Sequence, residues 1–104
     1  MIPYGKHYID QDDIKSVIKV LKSDNLTQGP LIKTFENVVA KYVGAKYAVA
    51  VASCTAGLHL AAIVSNIKEG KILLTSPITF VSTANSALFC GGKTIFADID
   101  SNIN

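Results

Sequence analysis

The chain has 104 residues, enough for one small domain or part of a larger one, and its ten basic and eight acidic residues leave a net charge of +2. All ten basic residues are lysine, without a basic cluster or an aromatic-interleaved motif, which argues against a nucleic-acid partner and leaves no arginine fork for an anion. No apolar run reaches the roughly 18 residues of a membrane span, and MIPYGKHYIDQDD is polar where a signal peptide would be apolar, so a cytoplasmic chain without a membrane partner is expected. Hydrophobic residues make up 49% and charged residues 17%. That balance predicts apolar surface meant to be covered by something outside the sequence.

In chain order, Ile14, Val17, Ile18 and Leu21 recur at helical spacing behind Asp10, Asp12 and Asp13, which predicts an amphipathic helix ending near Ser23. NLTQG at 25–29 reads as a loop. A second helix begins at Pro30, carries Leu31, Phe35, Val38, Val39 and Tyr42 as its apolar stripe, and stops at Gly44. From residue 47 the pattern changes. YAVAV at 47–51, KILLT at 71–75 and KTIFAD at 93–98 are short apolar runs of strand character, separated by helix-like runs at 55–67 and 79–90. The expected organisation is therefore a helical segment over 1–46, then a βαβαβ unit with parallel strands over 47–104. A three-stranded parallel sheet leaves open edges, so the sequence reads as a piece of a larger α/β domain.

Ligands of open α/β sheets gather beyond the carboxyl ends of the strands. Three stretches qualify: 52–56, 76–80 and 98–100. The first, ASCTA, places Ser53, Cys54 and Thr55 at a helix start, where free N–H groups and hydroxyls suit a phosphate. Taken alone, the loop reads first as a plain N-cap supplied by Ser53 or Thr55. Phe80 in the second loop is either a core residue of the first helical turn or an aromatic platform beside an anion seat. Asp98 is either a ligand or a turn-former. The glycine-rich nucleotide motifs and the nucleophile elbow are missing around Gly57 and Ser53. Cys54, Cys90, His7 and His59 show no metal-ligand spacing, and the two cysteines read as reduced, mostly buried thiols.

LTQGP at 26–30, FE at 35–36, SCTAGLHLA at 53–61, SPITFVSTAN at 76–85 and the closing FADID resemble, in order and spacing, the amino-terminal part of the DegT/DnrJ/EryC1/StrS sugar aminotransferases. IDQDDI, LTQG and TSPITFVSTAN are most similar to the branch that aminates a UDP-linked 4-keto-6-deoxy sugar. The resemblance implies the large domain of a fold-type I enzyme that uses pyridoxal phosphate (PLP), takes its amino group from glutamate and works as a homo-oligomer, a dimer. It implies that Cys54 and Thr55 hold the cofactor phosphate and that Phe80 stacks on the pyridine ring. It also implies that Tyr4, Asp24, Asn25, Leu26, Thr27 and Cys54 contact the nucleotide sugar. Relatives usually carry glycine or alanine where this chain has Cys54. None of the ten lysines matches the family's Schiff-base lysine motif, so no catalytic residue is expected within these 104 residues and the chain alone is expected to be inactive. Two alternatives stay open: a non-catalytic oligomerisation or binding module, and a dehydratase of the same family that uses the cofactor without the lysine.

Overall fold

The computed structural model describes residues 5–100 and divides into two compact units, one ending at Ala50 and the other starting at Val51. The first unit holds helices α1 (Gln11–Leu21) and α2 (Pro30–Val43). Asp10 caps α1 by accepting from the N–H groups of Asp12 and Asp13 at 2.8 and 3.0 Å, and Asp13 returns the bond to the Asp10 N–H at 3.0 Å. This reciprocal box places three carboxylates at the positive end of the helix dipole. Pro30 opens α2, and Gly44 closes it at φ +70°, where the Ala45 N–H reaches the Ala40 carbonyl at 2.9 Å. A left-handed residue of this kind is nearly free of steric cost only for glycine.

The predicted strand at 47–51 is the main correction. It joins no ladder among the described residues. Strand character specifies an extended apolar run; it does not supply a pairing edge. Instead, the Ala50 N–H donates to Glu36 Oε1 at 3.0 Å, fourteen residues back in α2. That bond, followed by the Lys33 ammonium 3.4 Å from Glu36 Oε2, holds the Glu36 carboxyl below its ordinary 4.5, against the opposing effect of burial. The stabilisation is therefore complete above the ordinary carboxylate value and disappears as pH falls through the lowered one. Glu36→Gln is expected to flatten the acid limb of the stability–pH profile below about pH 4.5. An unchanged acid limb would show that Glu36 does not tie the 47–50 run to α2.

The second unit contains α3 (Cys54–Val64), β1 (Ile72–Thr75), α4 (Val81–Phe89) and β2 (Lys93–Phe96). The two strands are parallel, with Ile72 opposite Lys93 and Thr75 opposite Phe96, and α4 is the crossover between them. The class is α/β with a parallel sheet, as expected. The ladder runs one bond further at each end, through Lys93 N–H to Lys71 O and Ala97 N–H to Thr75 O, both 2.9 Å. Small residues make the contact surface of α4: Ser82, Ser86 and Ala87 are buried, and Thr94 Oγ1 donates to the Ala84 carbonyl at 2.8 Å. Packing this close needs short side chains on the helix. His59 of α3 meets the Phe89 ring of α4 edge-on at 5.4 Å. Large apolar side chains, among them Leu74, Ile78 and Leu88, remain exposed.

Helix α3 stops three residues short of the expected 67 because Asn66 adopts φ +57°, a conformation asparagine tolerates better than most residues. Gly91 at φ +77° ends α4, with the Gly92 N–H on the Ala87 carbonyl at 2.9 Å.

Candidate functional site

The connection from α3 into β1 and the connection from α4 into β2 lie against each other. Gly92 faces Ile67 and Lys71, and Gly91 faces Glu69. Both helices therefore end beside the amino ends of the strands. Because α3 packs on α4, the starts of both helices fall toward the carboxyl ends, Thr75 and Phe96. This is the end where open α/β sheets place their ligands.

Ser53 is the N-cap of α3: its side chain accepts from the Ala56 N–H at 3.2 Å, and its carbonyl accepts from the Gly57 N–H at 3.0 Å. Thr55 is not a cap; it occupies the second helical position. With Ser53 satisfying Ala56, the N–H groups of Cys54 and Thr55 donate to no group among the described residues, and neither does the Thr55 hydroxyl. All three positions are exposed. Two free donors and a hydroxyl at the positive end of an eleven-residue helix fit a phosphate group. The expectation of buried thiols fails at Cys54, which is exposed because it stands at the first helical position on the open end of the unit; Cys90 is half-buried, and both are free.

Phe80 is not a core residue. It is the N-cap of α4, and its side chain is 74% exposed at the same end as Cys54 and Thr55. Ser82, Ser86 and Ala87 are the buried residues of α4, and Phe80, one residue before the helix begins, stays outside that packed surface. Asp98 follows β2 and accepts from the N–H of the adjacent Ile99 at 2.9 Å.

The other expected contacts belong to the first unit. Asp24, Asn25, Leu26 and Thr27 form the exposed loop between α1 and α2, fixed by Ser23 Oγ on the Val20 carbonyl at 2.8 Å. Beside this loop a groove of about 500 Å³ is lined by Val20, Leu26, Pro30 and Leu31, with Lys19 and Asn25 among its polar residues. Tyr4 lies outside the described residues. Two features had weaker sequence signals. One is the Glu36–Ala50 bond, made by the acid that follows Phe35 in α2; the other is a Thr79–Thr83 hydroxyl pair at i, i+4 around Phe80.

The family model of the DegT/DnrJ/EryC1/StrS aminotransferase family matches residues 7–104. The chain belongs to that family. Among curated DegT-family relatives, "Spore coat polysaccharide biosynthesis protein SpsC" of Bacillus subtilis is 46% identical over 101 residues, covering 97% of this chain and 26% of the relative. A UDP-4-amino-4,6-dideoxy-N-acetyl-beta-L-altrosamine transaminase of Campylobacter jejuni is 46% identical over 106 aligned positions, covering 100% of this chain and 28% of that protein. Among solved structures, Helicobacter pylori PseC, an aminotransferase involved in the biosynthesis of pseudoaminic acid, aligns at 34% identity with a TM-score of 0.81, over 94% of this chain and 27% of that one. The PLP form of a sugar aminotransferase described as putative, Spr1654 from Streptococcus pneumoniae, aligns at 25% identity with a TM-score of 0.88, over 97% of this chain and 26% of that one. The chain thus spans about a quarter of the length of the DegT-family proteins it matches.

Proposed function

We propose that this chain forms the amino-terminal part of a PLP-dependent aminotransferase that moves an amino group from glutamate to a nucleotide-linked keto-sugar, for the synthesis of cell-surface polysaccharide or glycan. The observation that carries the reading is the open end of the second unit, where the free N–H groups of Cys54 and Thr55 and the exposed Phe80 ring stand at the starts of two packed helices. PLP, when bound, supplies the carbonyl that accepts and releases the amino group.

This chain's own residues bind and orient. The Cys54 and Thr55 N–H groups and the Thr55 hydroxyl hold the phosphate, with the α3 dipole behind them. Phe80 offers a flat apolar face to the pyridine ring and keeps water from one side of it. Asp24, Asn25, Leu26, Thr27 and Tyr4 contact the nucleotide sugar, and the Cys54 thiol borders the same substrate. The proton-moving lysine is supplied from outside these 104 residues, so a polypeptide restricted to them does not turn over. The working enzyme is a cytoplasmic homodimer, and the exposed apolar side chains of both units supply surface for such assembly.

Isotopically labelled glutamate and a UDP-linked 4-keto-6-deoxy sugar, incubated with the intact protein and PLP, should yield an amino-sugar nucleotide carrying the label. Loss of sugar oxygen without uptake of label would assign the dehydratase reaction instead. No change in the sugar and no PLP retention would reduce the chain to a binding module.

A further inference from the structure

Phe80 poses a problem that the cofactor reading does not solve by itself. An N-cap side chain normally accepts from the second or third helical N–H, and phenylalanine accepts nothing. The position combines a lost cap with a large apolar ring left in water. Around it, however, Thr79 Oγ1 and Thr83 Oγ1 lie 2.9 Å apart, and the Thr83 N–H donates to the Phe80 carbonyl at 3.0 Å. Thr79 is the residue before the cap and Thr83 the third residue of the helix, so the hydroxyl pair closes over the Phe80 backbone from both sides. Ser76 Oγ fixes the preceding turn by accepting from the Ile78 N–H at 3.1 Å.

Both members of the pair are β-branched, so each side chain has few χ1 options and the clasp is stiff. It holds Phe80 at φ −70° and ψ 143°, which fixes the direction in which its Cα–Cβ bond leaves the chain. Only the ring's own torsions remain to be ordered when a ligand arrives.

We infer that Thr79 and Thr83 are positioning residues for the Phe80 ring, a clasp that braces the uncapped turn and presents the ring at the carboxyl end of the sheet. This rests on the reading of Phe80 as the cofactor's platform. The clasp acts on the ring contact and not on the phosphate seat, because Cys54 and Thr55 belong to a different helix start capped independently by Ser53.

The test is a double-mutant cycle in the intact protein, with PLP and inorganic phosphate as separate probes. Thr83→Val removes the hydroxyl and keeps the shape; it should weaken PLP retention roughly three- to tenfold, the scale of leaving one side chain to be ordered on binding. Inorganic phosphate should compete as well as in the parent. Thr83→Ser should restore retention, and Phe80→Ala with Thr83→Val should be no worse than Phe80→Ala alone. Amide exchange at position 83 should be faster in Thr83→Val than in the parent without cofactor. Additive losses in the double variant, equal weakening of inorganic phosphate, or full retention in Thr83→Val while Phe80→Ala loses it would overturn the clasp alone. Full retention in Phe80→Ala would overturn the platform reading and the clasp with it.

Discussion

Valine at Gly92 should unfold the α3–α4 unit at ordinary temperature, and alanine should lower its stability by about 1–3 kcal/mol. Gly92 is buried where the two helix-to-strand connections meet. A Cβ there would stand 2.7 Å from Ile67 Cγ2, 3.2 Å from the Lys71 carbonyl and 3.3 Å from the Ala87 carbonyl. The isoleucine methyl can yield, but the two carbonyls cannot. Lys71 O accepts the Lys93 N–H that starts the ladder, and Ala87 O accepts the Gly92 N–H that ends α4, both at 2.9 Å. Moving either carbonyl strains one of these backbone bonds, and at the buried Ala87–Gly92 bond a polar group left without a partner costs a further 1–3 kcal/mol or so. For a domain of this size each kcal/mol corresponds to a Tm shift of about 4–8 °C. Thermal unfolding followed by circular dichroism would check it. A Gly92→Ala melt within a degree of the parent would mean that the two connections give way to a methyl group.

The elements that meet at this junction are largely legible in the residue pattern. Helices and strands after residue 52 follow from apolar runs punctuated by glycine and asparagine, and their parallel arrangement follows from strands without polar alternation. The stops at Gly44 and Gly91 are legible because a left-handed residue leaves a chemical signature. The stop at Asn66 is not, since asparagine takes that conformation as an option and the apolar pattern runs on to Ile67. The run 47–51 shows the firmer limit. Sequence declares an extended apolar segment, whereas a strand also needs an edge to pair with, and no local pattern states where that edge comes from. For the site, the loops at 53–55 and 76–80 follow from a fold rule, yet the rule leaves Ser53 and Thr55 interchangeable and Phe80 undecided between core and surface. Geometry separates them. One hydrogen bond makes Ser53 the cap, and Phe80 stands exposed at the cap of α4.

That separation gives Ser53 and Thr55 opposite expected phenotypes. Ser53→Ala removes the acceptor for the Ala56 N–H, so it should cost about 1 kcal/mol of stability, as loss of a helix cap does. Thr55→Val keeps the shape, the backbone N–H and the Ser53 cap, and removes only a hydroxyl that has no partner among the described residues. Its melting temperature should stay near the parent's. Its PLP retention should fall roughly ten- to a hundredfold, because a hydrogen bond to a charged phosphate is worth about 1.5–3 kcal/mol. Calorimetry and PLP retention by absorbance, run on both variants of the intact protein, give a crossed pair of results. Ser53→Ala moves chiefly the melt, and Thr55→Val moves chiefly the binding. If Thr55→Val retained PLP fully, the start of α3 would be a capped turn and nothing more, and the two free N–H groups beside it would have to be satisfied by solvent. If instead both variants lost stability equally, the Thr55 hydroxyl would be holding the turn. The cap and the phosphate seat are then separable only when the two losses cross, since a single residue doing both would move both readouts together.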